Sequence, residues 1–342
     1  MSERKFIITN EMLGSGGFGE VYIAYDKNDI SSKKTKYAAK KIPDVINDEE
    51  RLNLFTNEII ISTEFTNPNL VKFYGLTEYN DYIYMIYEYC NGGDLNKYLK
   101  NYISKNNRPI GEKEVQKILK DILNGLSCLH RNNVVHHDIK PANILLQYNT
   151  DKDKNDLNIN NCVFKLSDFG LSKYKNDEEK ADKVYGTFTF LDPICSIYNK
   201  VEFFDEDKTD IWAIGILTYR LLFANTHPFI SNDIYKKTND QKKINLHLTK
   251  NITKGIYFVS IREKPISKEF LAFIDSCLKL EQNSRKSSED LEYSWFLTRN
   301  YDKFNFITLD NFEENIPFEY QGNMEIKFNI KNENNIEDEL NL

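Results

Sequence analysis

The sequence predicts an α+β fold of two lobes, a small β-rich lobe followed by a larger α-helical lobe. Residues 6–90 alternate apolar and polar side chains in short runs such as Tyr82–Tyr89, which is typical of strands in an antiparallel sheet. A helical pattern over about 48–66 interrupts these runs. From Asp94 to about 135 the apolar residues recur at helical spacing, and helices dominate again beyond residue 210.

The composition is that of a folded protein large enough for two lobes or two small domains. The chain has 342 residues, of which 40% are hydrophobic, 13% aromatic and 28% charged. It has no run of about 18 apolar residues, so no membrane insertion is expected. Five cysteines are scattered without a C-x-x-C pair, which predicts free thiols in a reducing compartment, the cytoplasm or alternatively the nucleus.

The net charge of −7 is carried by the C-terminal end. Residues 300–342 hold ten acidic residues and three lysines, so the remainder of the chain is neutral. A neutral body has no overall basic field, and neither nucleic acid nor an anionic membrane is expected as a partner. The same segment is too aromatic for a solvated tail, and we expect it to pack on the protein or to bind a regulatory partner through Phe304, Phe306, Phe312, Phe318 and Phe328.

A glycine-rich segment near the N-terminus is the first candidate for nucleotide binding. It comprises Gly14, Ser15, Gly16, Gly17, Phe18 and Gly19, and Val21 follows it closely. Glycines let a backbone approach a phosphate chain, although similar turns are common in proteins without ligands. Because the segment lies between strand-like runs and not before a helix, it argues against a dinucleotide-binding βαβ unit and favours a loop that covers phosphates.

Lys40, on the next predicted strand, has the spacing to reach those phosphates. Most strand lysines are simply solvated, so this interpretation depends on a carboxylate partner. Glu58, on the predicted helix, is the expected ion-pair partner, and Glu64 on the same helix is the rival.

The strongest pattern is Asp138-Ile-Lys140-Pro-Ala-Asn143, followed by Asp168-Phe-Gly170. Phosphoryl transfer needs a carboxylate that orients the attacking hydroxyl, a cation near the transferred group, and oxygen ligands for Mg²⁺. The two motifs supply all of these groups, and they follow the glycine-rich segment and Lys40 in the expected order.

With these motifs, the chain resembles the eukaryotic protein kinases of serine/threonine type over residues 6–299. The resemblance implies the bilobal protein kinase fold, ATP and Mg²⁺ as cofactors, and proteins as substrates. It divides the chain into an N-lobe at about 6–88, a hinge at 88–94, a C-lobe at 95–299 and a tail at 300–342.

The resemblance also implies a role for each candidate residue. Asp138 is the catalytic base or hydroxyl-orienting carboxylate, and Lys140 is the cation beside the transferred phosphoryl group. Lys40, oriented by Glu58, holds the ATP phosphates. The other implied contacts are the glycine-rich segment over the phosphates, Val21, Ala38 and Leu145 around the adenine, Tyr87 as gatekeeper beside it, Glu88 and Cys90 in the hinge, Asp94 at the ribose, and Asn143 and Asp168 at Mg²⁺.

Two residues imply specificity for serine and threonine. Lys140 lies two positions after Asp138, and Thr187, implied to contact this pair, follows Gly186. The segment Tyr89–Leu95 and a polar insertion at 147–161, expected to be a surface loop, also resemble the unc-51-like family of autophagy-initiating kinases.

Three departures from the family pattern concern regulation and structure. His137 stands where the family has an arginine that pairs with a phosphorylated activation loop, and Lys183 stands at the phosphorylated position. We therefore expect activity without activation-loop phosphorylation. Ser62 occupies a position that is apolar in the regulatory spine of the family.

The third departure leaves a family arginine without its usual partner. Asp192-Pro-Ile194 replaces an A-P-E motif whose glutamate pairs with an arginine matched to Arg285. Glu202 and Asp205 are the acidic residues nearby in the sequence that could substitute for this glutamate.

Two other functions compete with that of an active kinase. A nucleotide-binding pseudokinase scaffold is disfavoured because such proteins usually lose residues of the Lys40, Asp138 or Asp168 type. A small-molecule phosphotransferase is disfavoured by the activation segment and by Asp210–Gly215, which resembles the D-x-W-x-x-G helix that anchors the catalytic loop of the family.

Overall fold

The computed structural model describes most of the two predicted lobes. The described residues are 5–16, 19–29, 35–43, 49–175, 187–193, 205–223, 227–230, 240–253, 257–259, 265–307 and 326–328. Several residues singled out in the sequence lie outside these ranges: Gly17, Phe18, Lys183, Ile194, Glu202, Phe312 and Phe318.

Five antiparallel strands form the sheet of the N-terminal lobe, in the spatial order β1-β2-β3-β5-β4. They are β1 (Phe6–Gly16), β2 (Gly19–Asp26), β3 (Lys36–Lys41), β4 (Phe73–Tyr79) and β5 (Tyr82–Glu88). Strand β3 pairs with β2 and β5, so Lys40 lies opposite Val21 on one side and Met85 on the other. The two residues between β4 and β5, Asn80 and Asp81, both have positive φ, as a tight hairpin turn requires.

Helix α1 (Glu49–Glu64) packs on this sheet. Phe55 and Met85 are buried together, and Ile59 and Tyr87 pack against them, which docks the helix on β5. Since residues three apart share a helix face, Glu58 is turned toward the sheet with Phe55.

The C-terminal lobe is mainly helical, as predicted. Its helices are α2 (Leu95–Asn106), α3 (Glu112–Arg131), α4 (Asp151–Asp156), α5 (Asp207–Leu222), α6 (Gln241–Thr253), α7 (Lys268–Cys277), α8 (Ser288–Glu292) and α9 (Trp295–Thr298). Helix α5 is buried on nearly all sides, which fits its apolar sequence. A Cβ at Gly215 would lie 2.7 Å from Cys277 Cβ, so the glycine permits the close packing of α5 against the end of α7.

Short strands in this lobe carry the loops of the candidate site. Strand β6 (Val134–Val135) pairs with β9 (Lys173–Tyr174), and β7 (Ile144–Tyr148) pairs with β8 (Cys162–Leu166). These elements with the five-stranded sheet confirm the predicted α+β, bilobal kinase fold. No helix among the described residues is long and apolar enough to cross a membrane.

The polar insertion between β7 and β8 is not a plain loop. It contains helix α4, because the Thr150 hydroxyl accepts a hydrogen bond from the backbone N–H of Asp153 and caps the first turn. The polar composition concealed this helix, since α4 buries no side chain and leaves no apolar periodicity in the sequence.

Arg285 has a partner that the sequence did not identify. Both oxygens of Asp192, the first residue of the altered A-P-E motif, accept hydrogen bonds from the Arg285 guanidinium, and both side chains are fully buried. Gln282 Nε2 donates to the same carboxylate at 2.9 Å, and the guanidinium lies 4.9 Å from the ring centroid of Trp212 on α5. The carboxylate has moved two positions along the chain, and the buried ion pair is kept. Asp205, considered as a substitute, instead pairs with Lys175.

The first residues of the predicted tail pack on the C-terminal lobe. Phe304 and Ile307 are buried in the main core cluster, and Phe306 packs against that cluster. Strand β12 (Phe306–Ile307) pairs with β11 (Ile266–Ser267). A second short pair joins β10 (Tyr257–Val259) and β13 (Ile326–Phe328) in parallel. The aromatic residues at 304–307 are therefore part of the folded body.

We predict that Asp192→Asn lowers the free energy of unfolding by about 3–5 kcal/mol, because it leaves the Arg285 guanidinium buried without its carboxylate. Urea unfolding monitored by circular dichroism measures the change. Asp205→Asn is the matched control, since it removes a more exposed ion pair whose contribution is about 0–1 kcal/mol. Equal midpoints for the two variants would contradict the assignment.

We also predict that two truncations of the tail differ in stability. Ending the chain at Arg299 removes the buried side chains of Phe304 and Ile307, each of which contributes about 1.5–3 kcal/mol by burial. Ending it at Ile307 keeps both residues and serves as the control. Thermal melts should show a lower Tm for the chain that ends at Arg299 than for the chain that ends at Ile307, and equal Tm values for the two would show that the segment 300–307 does not stabilise the body.

Candidate functional site

Lys40 lies in a buried cluster of charges between β3, α1 and the start of the Asp168-Phe-Gly motif. Its Nζ is 2.7 Å from both carboxylate oxygens of Glu58 and 3.1 Å from Asp168 Oδ1. Burial opposes the charge of Lys40, but the two carboxylates outweigh it and raise the pKa of Lys40. The lysine is therefore held as a cation at the mouth of the site.

The structure decides between the two candidate partners of Lys40. Glu58 is 2% exposed and contacts Lys40, whereas Glu64 is exposed and accepts a hydrogen bond from the hydroxyl of Tyr174 on β9. Glu58 shares the sheet-facing side of α1 with Phe55, and Glu64 lies at the end of the helix.

Asp138 is the centre of a compact hydrogen-bond network. Its Oδ2 accepts from Lys140 Nζ at 2.6 Å and from Asn143 Nδ2 at 2.9 Å, and its Oδ1 accepts from Thr187 Oγ1 at 2.9 Å. Lys140 Nζ also donates to Thr187 Oγ1 at 2.9 Å, so Thr187 contacts both residues as the sequence led us to expect. A 3₁₀ turn that begins at Pro141 brings Asn143 back to Asp138.

Asp210, in the first turn of α5, anchors the loop that carries Asp138. Its carboxylate accepts hydrogen bonds from the backbone N–H groups of His136 and His137 at 2.8 and 2.9 Å and lies 2.9 Å from His130 Nε2. Burial would raise the pKa of Asp210, but its histidine neighbours, above all His130, lower it below its ordinary value. The buried carboxylate thus stays ionised and holds the strained turn at His137, whose φ is 64°.

Asn143 and Asp168 have the donor set expected of a magnesium site. Both hydrogen bonds from the Asn143 side chain use its amide nitrogen, which leaves the carbonyl oxygen as the ligand atom. The Asp168 side chain is 24% exposed, and Lys40 binds one of its oxygens. Oxygen ligands from a carboxylate and an amide suit a hard divalent cation, so these residues fit Mg²⁺.

The expected adenine position lies between the two lobes. Val21 and Ala38 come from neighbouring strands of the N-terminal sheet, and Leu145 comes from β7. The segment after β5 is tied to β7 by hydrogen bonds from Gly92 N to Leu146 O and from Leu146 N to Gly93 O, at 2.8 and 2.9 Å. A bridge between Asp94 and Leu145 likewise places β7 beside the segment that follows β5.

Two residues of the predicted hinge have structural partners of their own, and a third is buried. The Glu88 carboxylate binds Lys72 N and lies 2.9 Å from Lys165 Nζ. Asp94 caps α2, with Oδ1 accepting from Lys97 N at 2.9 Å. Cys90 is buried, and this burial raises the pKa of its thiol, which makes a reactive cysteine at this position unfavourable.

A carboxylate that the sequence did not single out lies beside His137. Glu206 Oε2 is 3.5 Å from His137 Nε2 and 3.1 Å from Lys173 Nζ on β9. Burial would raise the pKa of Glu206, but His137 and Lys173 outweigh it and lower that pKa. Glu206 precedes Asp210 by four residues, yet no sequence pattern indicates that it returns to the catalytic loop.

Comparisons with known proteins agree with this architecture. The family model described as the protein kinase domain matches residues 7–296. The serine/threonine-protein kinase cds1 of Schizosaccharomyces pombe is 32% identical over 301 residues, covering 84% of this chain and 57% of the relative. Calcium-dependent protein kinase 4 of Plasmodium falciparum is 29% identical over 289 residues, covering 83% of this chain and 48% of the relative.

A third relative, the serine/threonine-protein kinase tousled-like 2 of Mus musculus, is 30% identical over 299 residues, covering 82% of this chain and 38% of the relative. The chain thus spans less than two thirds of the length of these curated relatives. The resemblance to unc-51-like kinases stays a prediction. With a family model matched along most of its length and a bilobal fold, the chain belongs to the protein kinase family.

Proposed function

We propose that this protein is an active serine/threonine kinase that transfers the γ-phosphate of ATP to hydroxyl groups of other proteins. The observation that carries the proposal is the network around Asp138, in which one carboxylate binds Lys140, Asn143 and Thr187 together. It adjoins the Lys40–Glu58–Asp168 cluster, because the backbone N–H of Ser167, the residue before Asp168, donates to Asn143 O at 2.9 Å. The groups for binding phosphate and for orienting a hydroxyl are therefore close together.

In the proposed reaction the oxygen of a substrate hydroxyl attacks the γ-phosphorus, and the bond from that phosphorus to the β–γ bridging oxygen breaks. Asp138 orients the hydroxyl and accepts its proton, while Lys140 stabilises the charge on the transferred group. Lys40, held by Glu58, binds the phosphates beneath the glycine-rich segment. Mg²⁺, when held by Asn143 and Asp168, supplies neutralisation of the phosphate charge.

Specificity for serine and threonine is supported by the Lys140–Thr187 contact of 2.9 Å, because the family resemblance implies that these two residues together mark the serine/threonine type. The similar proteins that are named serine/threonine kinases support the same specificity. The alternative function, a nucleotide-binding scaffold without catalysis, is disfavoured because Lys40, Asp138 and Asp168 are all present and Lys40 contacts Asp168. The cytoplasmic location and a regulatory partner for the tail stay predictions.

We predict that Lys40→Ala and Asp168→Ala each lower phosphate transfer by roughly 10²–10³-fold or more, because each removes a charge that acts on the phosphates or on the metal. Mg²⁺-dependent transfer of labelled phosphate from ATP to a degenerate peptide library measures this loss, and thermal melts check folding. Lys41→Ala is the matched control, since the Lys41 ammonium lies over the Tyr82 ring and not in the cleft. Turnover near that of the parent in either site variant would contradict the proposed site.

We also propose that activity does not require phosphorylation of the activation loop. The Glu206 carboxylate occupies the place beside His137 and Lys173 where an added anion would otherwise be needed to bind these side chains. The ordinary pKa of Glu206 is near 4.5 and its pKa in the fold is lower, so the anion is present at neutral pH. An internal carboxylate can therefore order this region permanently.

Two measurements test this second proposal. Phosphatase-treated protein, verified by mass spectrometry, should transfer phosphate at its full rate from the first turnovers. Glu206→Gln should lower both this rate and the free energy of unfolding at pH 7. Because the pKa of Glu206 is depressed in the fold, its contribution is present above about pH 4.5 and is lost as pH falls through the folded pKa.

The stability difference between Glu206→Gln and the parent should therefore shrink on acidification. Glu289→Gln is the control, because Glu289 forms an exposed pair with Arg131. An initial rate near zero that rises with autophosphorylation would overturn the proposal for the loop.

A further inference from the structure

Tyr87, at the end of β5, reaches from the expected adenine position to helix α1. Its hydroxyl donates a hydrogen bond to Glu58 Oε1 at 2.9 Å, and Ser62 Oγ lies 3.4 Å from the same hydroxyl. Glu58 and Ser62 are both buried and are four residues apart, so they face Tyr87 from successive turns of one helix face. One tyrosine hydroxyl thus contacts the helix at two points.

The directions of these hydrogen bonds follow from counting protons. A tyrosine hydroxyl carries one proton, and the Glu58 carboxylate can only accept, so that proton points to Glu58. Ser62 must then donate to Tyr87. Burial, with the Glu58 charge in support, raises the pKa of Tyr87 well above its ordinary value, so the hydroxyl remains a donor. The result is a chain of hydrogen bonds from Ser62 through Tyr87 to Glu58.

Glu58 depends on such a donor because of its burial. Its two oxygens contact Lys40 Nζ at 2.7 Å, and Tyr87 supplies a further hydrogen bond to Oε1 from the opposite strand. A buried carboxylate is stable as an anion only when its lone pairs are paired. Lys40 contacts both oxygens from β3, and the added bond from β5 holds Oε1 from a second strand.

The aromatic ring of Tyr87 contributes separately. It packs against Phe73 on β4 with ring centroids 5.2 Å apart, and it belongs to the small apolar cluster that docks α1. Tyr87→Phe keeps this ring and removes only the hydroxyl. The effect of the hydrogen bond can therefore be separated from the effect of packing.

We infer that Tyr87 is a positioning residue for phosphoryl transfer, whose hydroxyl, supported by Ser62, latches α1 to β5 and orients Glu58 for Lys40. This inference rests on the proposed kinase function. It accounts for Ser62 at a position where an apolar side chain was expected, because the serine hydroxyl has a partner that an apolar residue would lack. Tyr87 acts through Glu58 and does not itself hold the phosphates.

The test is a double-mutant cycle on the full chain. Tyr87→Phe should lower kcat/KM for Mg·ATP about tenfold, the effect of losing a hydrogen bond to a charged group, mainly through kcat. In a Glu58→Gln background the same substitution should change kcat/KM by less than about twofold. Ser62→Ala should have a smaller effect that vanishes in the Tyr87→Phe background, and Ser62→Thr, which keeps the hydroxyl, should restore the parent rate.

Tyr102→Phe is the matched control. The Tyr102 hydroxyl also donates to a glutamate, Glu114, at 3.1 Å, but it lies on α2 away from the cleft, so kcat/KM should not change. Parent-like kcat/KM in Tyr87→Phe, or an undiminished effect in the Glu58→Gln background, would overturn the inference.

A second readout separates this inference from the proposed function. Binding of a non-hydrolysable ATP analogue with Mg²⁺, measured by calorimetry across the same variants, needs no turnover. If the parent transfers no phosphate, the proposed function fails. Analogue affinities across the same double-mutant cycle then decide whether Tyr87 positions Glu58. Coupling between Tyr87 and Glu58 in analogue affinity would support the latch, and additive effects would refute it.

Discussion

The carboxylate of Asp210 is the contact on which the rest of the site depends. It lies in α5, which is buried on nearly all sides, and it binds two successive backbone N–H groups of the loop that carries Asp138. Because α5 cannot move without disrupting the core, the loop bound to Asp210 is also held rigidly. The strained residue His137 is therefore kept in place. Asp138 follows directly, so the position of the proposed catalytic carboxylate is set by hydrogen bonds to the main chain of the two preceding residues.

Three departures from the family pattern share one physical solution, in which a nearby polar group takes over a lost interaction. Asp192 supplies the carboxylate for Arg285 from a position two residues earlier in the same motif. Glu206 provides an anion for His137 and Lys173. Tyr87 provides a hydroxyl for Ser62. In each case a charged or polar group lies next to the side chain concerned, because a polar group buried in isolation would cost far more than the change of residue.

The buried ion pairs of this protein determine where side chains lie more than they stabilise the fold. Removing an ion pair from water costs free energy that the attraction between the charges only partly offsets, so Lys40–Glu58 and Arg285–Asp192 are weak arguments for a stable fold. They do fix geometry, since each charge must remain next to its partner. Lys40 is held by two carboxylates from different elements, Glu58 on α1 and Asp168 in the C-terminal lobe. The position of its ammonium group therefore depends on how the two lobes are placed relative to each other.

The sequence by itself determined the two-lobed α+β fold and the Asp138–Lys140–Asn143 and Asp168 motifs, because these depend on periodicity and spacing along short stretches of the chain. It predicted Glu58 over Glu64 as the partner of Lys40, and the structure decided for Glu58. Helix α4 was not predicted from the sequence, since it is stabilised by a capping residue and has no apolar stripe. Only the tertiary structure decided the partners of Arg285, His137 and Ser62. Those contacts join residues 25 to 93 positions apart, at distances set by how helices and loops pack, and no local pattern encodes them.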